Sequence, residues 1–179
     1  MHNARVLAAF GVALLLCACN PRSPAPAPSP SATQRGRGPW LRITGRGTAR
    51  RPVRFVATSR ANRMEYDLIA RSFESNGRQG TSVATFSDVH VTFYARDGTL
   101  VSSAAQAIVD EVANTITLHG SVHAKSSSGA TLDCDTLRYD RASATIHGQG
   151  HVVMTNPRGM RATGNSVDSD VTLTKVRMT

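Results

Sequence analysis

Thr115-Ile116-Thr117-Leu118-His119-Gly120-Ser121-Val122-His123-Ala124 is the stretch on which the fold turns. Apolar or small residues at 116, 118, 120, 122 and 124 alternate with polar ones at 115, 117, 119, 121 and 123. A period of two puts the first set on one face of a strand, for burial, and the second in water. The pattern recurs on both sides. Downstream, Ala144, Ile146, Gly148, Gly150, Val152 and Met154 alternate with Thr145, His147, Gln149 and His151. Upstream, Val89, Val91, Phe93 and Ala95 alternate with Asp88, His90, Thr92 and Tyr94. Tyr66 to Ser72 has the length of a short helix, yet Tyr66, Leu68 and Ala70 alternate too. From Met64 onward the fold class is all-β.

The strands repeat. Gly98, Gly129 and Gly159 lie about thirty residues apart, each opening a strand after a polar turn. Gly120-Ser121-Val122 and Gly150-His151-Val152 keep the same interval, as do Val109-Asp110 and Tyr139-Asp140. Each unit reads as a turn glycine, a strand, a turn near the Asp, and a strand ending in Gly-x-Val. Stacked supersecondary units of this kind share one apolar interior. Asp97-Gly98, Ser128-Gly129 and Asn156-Pro157-Arg158-Gly159 supply suitable turn chemistry.

The N-terminal third differs. Met1 to Arg5 is positive, and Val6 to Leu16 is apolar and uncharged. This run is shorter than the roughly twenty residues of a membrane-spanning helix, so it reads as a signal-peptide core. Leu16-Cys17-Ala18-Cys19 has the form of a bacterial lipobox, with Cys19 as the lipidation site of a segment 1–19. The competing reading is an ordinary secretory signal. Residues 20–40 are rich in Pro, Ala and Ser and form an extended spacer of up to roughly 60 Å. Residues 41–63 form a basic segment of uncertain order, with a short strand possible at Leu41-Arg42-Ile43 or Val53 to Val56. The β-domain is assigned to 64–179.

The formal net charge is +9, but it is not spread evenly. Arg35 to Arg63 holds nine arginines and no acid; from Met64 onward ten Lys/Arg face twelve Asp/Glu. A basic stretch beside a membrane anchor is drawn to anionic headgroups. A solvated arm without a partner is the plainer reading. Binding of nucleic acid or another polyanion by 35–63 is a third, and no nucleic-acid partner is expected.

Candidate chemistry is sparse. Cys134, the one cysteine beyond the signal region, sits between Asp133 and Asp135, a poor setting for a reactive thiolate. It reads as a small buried hydrophobe. His90, His119, His123, His147 and His151 fall on polar strand faces. His119 and His123 lie about 13 Å apart along one strand, too far to share a metal. Neither a Gly-x-Ser-x-Gly elbow nor a phosphate loop is present. No enzyme, metal or cofactor is expected. The better candidate is the apolar face: Phe86, Val89, Val91, Phe93, Ile108, Ile116, Leu118, Leu132, Leu137, Ile146, Val152 and Met154. A curved sheet without helices to cover it either closes on itself or keeps a groove for something apolar.

Tyr66-Asp67-Leu68-Ile69-Ala70 resembles the opening strand of the LptC family of periplasmic lipopolysaccharide-transport proteins. Val91-Thr92-Phe93-Tyr94 with Asp97-Gly98, then Leu118 to Val122, then Leu132 to Asp140, are similar to that family's next segments. Gly159 to Asn165 through Lys175-Val176-Arg177 resembles its close. The likeness spans about 64–179 and rests on order and spacing. It implies a single twisted, partly open β-jellyroll of repeated antiparallel strands, as in the LptA/LptC superfamily. The apolar face would then hold acyl chains of lipopolysaccharide or a similar glycolipid. The N-terminal strands would meet an inner-membrane lipopolysaccharide ABC transporter. The C-terminal edge, around Val171, Leu173, Val176 and Met178, would extend into an LptA-like bridge protein by strand addition. The location implied is the periplasm, with a lipid at the N-terminus holding the protein to the inner membrane. That anchor departs from the family, which carries a transmembrane helix there. A structural or adhesive surface lipoprotein with a closed core is the alternative.

Overall fold

The alternating residues do form strands. The computed structural model describes residues 41–59, 61–78 and 81–179. The signal segment, Cys19 and the Pro-rich spacer lie outside the described residues. The strands are β1 (Leu41–Arg46), β2 (Val53–Thr58), β3 (Met64–Arg78), β4 (Thr81–Ala95), β5 (Gly98–Asp110), β6 (Thr115–Ser126), β7 (Thr131–Asp140), β8 (Thr145–Thr155), β9 (Arg161–Asp170) and β10 (Val176–Met178). They make one antiparallel sheet in sequence order from β3 to β10, and it does not close into a barrel. This is the all-β, open jellyroll expected.

The basic segment joins this sheet. β1 pairs with the C-terminal half of β3 (Leu41↔Gly77 to Arg46↔Ser72) and β2 with its N-terminal half (Val53↔Ala70 to Thr58↔Met64). Together they form one interrupted edge strand, and residues 47–52 step out between them. Both short strands foreseen in this segment therefore form.

The repeated Gly-x-Val motifs do not end strands, as the sequence reading had it. β6 and β8 run on through them. Gly120 and Ser121 have φ of 81° and 53°, and Gly150 and His151 have 77° and 45°. Two successive left-handed residues bend a strand, and each pair falls at a shift in sheet register. β4 bends at Asp88, with φ of 50°. Its buried positions change from even (Phe86) to odd (Val89, Val91, Phe93) there. β5 and β7 change parity in the same way, from Leu100 and Ser102 to Ala107 and Val109, and from Leu132 and Cys134 to Leu137 and Tyr139. A line of bends thus crosses the sheet and folds it into two half-sheets, inner faces together. Phe93 and Tyr139 meet at 4.4 Å between ring centroids although two strands separate β4 from β7. On β8, Gly148 is kept small by its β9 partner, because a Cβ there would come within 2.7 Å of a Val167 methyl.

Asp residues organise the turns that follow β5, β7 and β9. Asp110 accepts the amides of Val112 and Ala113, Asp140 those of Ala142 and Ser143, and Asp170 those of Thr174 and Lys175. These bonds satisfy turn donors that no strand partner reaches.

Candidate functional site

The candidate acyl-chain residues are brought together, with one exception. Phe86, Val89, Val91, Phe93, Ile116, Leu118, Leu132, Leu137, Ile146, Val152 and Met154 are all buried in one apolar cluster. Ile108 is not among them. Its neighbours Ala107 and Val109 point inward, and Ile108 is half-buried on the other face. The bend in β5 reverses the alternation, and sequence reading had no mark for it. Residues outside the candidate set complete the interior: Leu68, whose alternation is visible in sequence, and Leu100, Tyr139 and Val167, each at most 2 % exposed.

The interior is filled by its own side chains, and its boundaries differ. At the β2 end, Phe55 is 39 % exposed and meets Phe73 and buried Phe86 at 5.5 and 5.0 Å between centroids. The core therefore ends there in an aromatic cluster open to solvent. Gly45 lies against the Phe73 ring, where a side chain would collide. Phe55 and Phe73 stand next to Arg54 and Glu74, and these charges hid them in the sequence.

At the β9–β10 end the core is plugged. Val171 and Leu173, expected on the partner edge, are buried in the turn after β9. Ser128 Oγ donates to the carbonyl of Thr172 (2.9 Å), tying this turn to the β6–β7 turn. Asp170 fixes the base of the plug. Burial opposes its charge, but hydrogen bonds from the Thr172 and Thr174 hydroxyls and the Lys175 and Thr174 amides hold its carboxyl well below the usual range. Val176 and Met178 do lie on the edge strand, half-buried. Beyond β10, residues 161–164 of β9 pair only with β8.

The seam between the half-sheets is latched by Arg141. It donates to Glu65 from Nη2 (2.7 Å) and Nε (3.2 Å) and to Glu111 from Nη1 (2.9 Å). Its guanidinium lies 5.5 Å from the Tyr66 ring centroid. Burial, followed by the Glu111 charge, pushes the Tyr66 hydroxyl up to about 12.

On the outer face, neighbouring strands supply the carboxylates that the histidines lack in sequence. His123 pairs with Asp133, His147 with Asp168 (2.7 Å) and His151 with Asp135 (2.7 Å), all exposed. Among the described residues, no three His, Cys, Asp or Glu side chains are grouped as metal ligands. Cys134 is buried, and burial pushes its thiol up to about 11. That suits packing, not nucleophilic chemistry.

The interior is lined mainly by apolar side chains, with Ser102 and Ser169 among the few buried polar ones, and the sheet ends in an edge strand on either side. The family model for lipopolysaccharide assembly, LptC-related, matches residues 51–178, which include β2 and all that follows it but Thr179. Comparison with curated proteins gives no match. The match spans well over half of the chain and the whole folded sheet apart from β1, and this chain belongs to the LptC-related family, with a role in lipopolysaccharide transport.

Proposed function

We propose that the protein accepts the acyl chains of lipopolysaccharide from an inner-membrane ABC transporter and passes them to an LptA-like bridge protein, held in the periplasm by a lipid on Cys19. The observation that carries this reading is the apolar interior, which runs unbroken from the exposed aromatic cluster at β2 to the Val171–Leu173 plug. Acyl chains gain about 0.8 kcal/mol per buried CH₂. A lining of near-equivalent aliphatic side chains offers no deep trap along the way. The path begins at Phe55 and Phe73, and the half-sheets part as the chain advances. Strand addition to β10 or to residues 161–164 of β9 joins the next protein.

Photo-crosslinking residues at Phe55, Phe93, Leu118 and Ile146 test this in cells. Capture of glycolipid at Phe55 and at one or more interior positions is expected. Capture at none of the four would overturn the reading. The filled interior favours a second reading, a structural or adhesive lipoprotein with a permanently closed core. Under it, glycolipid is never captured, and loss of the protein leaves lipopolysaccharide at the cell surface unchanged.

A further inference from the structure

Most hydroxyls buried in the fold have partners. Ser126 Oγ meets Ser128 Oγ (2.7 Å) and the Ala130 carbonyl (3.3 Å). Ser169 Oγ and Thr172 Oγ1 both donate to the Asp170 carboxylate (3.2 and 2.7 Å). Ser102 differs. Among the described residues, its Oγ is the one fully buried side-chain polar atom bonded to nothing. Ser102 faces the interior. It follows Leu100 on the inner face of β5 and is the last fully buried residue before the register shift between Ser103 and Gln106. Its cross-strand partners are Val91 on β4 and Ala124 on β6, and the same row continues to Leu132 on β7. All three are buried, and none offers a polar side-chain atom. The main chain on either side is committed to the ladders with β4 and β6. A hydroxyl in such a place costs stability unless something bonds it. Packing alone therefore favours alanine over serine at this position.

We propose that Ser102 is a specificity residue of the interior, and that its hydroxyl bonds a hydroxyl group borne along an acyl chain. The proposal rests on the carrier reading above and adds a chemical feature to the cargo. The need is reciprocal. A hydroxyl on an acyl chain is itself stranded among aliphatic side chains, at a cost that a plain chain does not meet. Ser102 Oγ both donates and accepts, so it serves such a hydroxyl in either direction. The carbonyl that joins an acyl chain to its headgroup is a poorer match, because it stays with the headgroup outside the apolar lining. A plain chain passes Ser102 and leaves its hydroxyl unbonded. A hydroxylated chain in register with Ser102 satisfies both groups at once.

The test is equilibrium binding of the full chain to tetradecanoic acid and to its monohydroxylated counterparts, with the hydroxyl near the head, at mid-chain or near the tail. The parent should bind at least one hydroxylated acid about tenfold tighter than the plain acid. Ser102→Ala should abolish that preference without weakening the plain acid, and should melt no lower than the parent, because it removes an unbonded group. Ser126→Ala removes a bonded hydroxyl at the end of β6; it should melt lower and keep the preference. Equal affinity of the parent for every acid would overturn the proposal, as would a preference that survives Ser102→Ala. A melting temperature lowered by Ser102→Ala would mean that the hydroxyl has a partner within the fold, and would overturn it too. In each of these outcomes the plain acid still binds, and the carrier reading stands. If no acid binds, the proposal also falls, and glycolipid capture at Phe93 and Ile146 in cells decides the carrier reading by itself.

Discussion

Arg141 ties three separate segments together at the seam between the half-sheets. Its guanidinium is linked to Glu65 at the start of β3 and to Glu111 in the β5–β6 turn, and its side chain is only 14 % exposed. Removing it leaves two carboxylates facing one another and uncovers the Tyr66 ring. Arg141→Ala should lower stability by about 1–3 kcal/mol in urea titration, as expected for hydrogen bonds to charged groups in a partly buried site. An undiminished midpoint would show that the seam is held by apolar contact alone. Asp170 gives a pH-dependent counterpart. Its folded pKa lies below the ordinary value of 3.8. The unfolded chain therefore binds its proton first, and the stabilisation is complete above the unfolded value and lost as pH falls toward the folded one. Asp170→Asn should lower stability at neutral pH and flatten the acid limb below about pH 4, read as the slope of stability against pH. An acid limb identical to the parent's would exclude Asp170 as the group responsible.

The bends decide what each strand does. Where alternation runs unbroken, as in Val89 to Phe93, residues on the buried face could be read from sequence alone. Where a bend changes the parity, the reading failed, and Ile108 was assigned to the wrong face. The Gly120 and Gly150 repeats were visible as repeats but not as bends. A glycine in a strand marks a turn, a bulge or a close approach, and only the φ angles tell them apart. Phe55 and Phe73 escaped because charged neighbours broke up their apolar signal, and the burial of Val171 and Leu173 depends on a turn that folds back over the core. The two glycine bends should not be equally tolerant. A side chain at either costs roughly 1–2 kcal/mol for the left-handed backbone. At Gly150 the new Cβ would also run into the Asp135 carboxylate, and at Gly120 it meets only the Ala105 methyl at 3.0 Å. Gly150→Ala should therefore unfold at lower temperature than Gly120→Ala. The reverse order would mean that the Asp135–His151 pair shifts without cost.

For the folded sheet as a whole, the two ends have different chemistry. The β1–β2 end is basic, interrupted by residues 47–52, and exposes the aromatic end of the core. The β9–β10 end is a short, three-residue edge strand beside a plugged core. If the two ends act separately, damage at one should not abolish the function of the other. Truncation after Lys175 removes β10, with half-buried Val176 and Met178, but none of the fully buried residues, so the plug at Val171 and Leu173 keeps its place. Such a chain should stay folded, with a lower melting temperature from the lost Val176 and Met178 packing, and still capture glycolipid through a crosslinker at Phe93. If strand addition at this edge joins the bridge protein, as proposed, the truncated chain should also lose co-purification with that protein. Loss of glycolipid capture at Phe93 together with bridge binding would instead mean that strand addition at β10 is what opens the interior. The two ends would then be coupled through the plug, and cargo would advance only when the next protein is already in place.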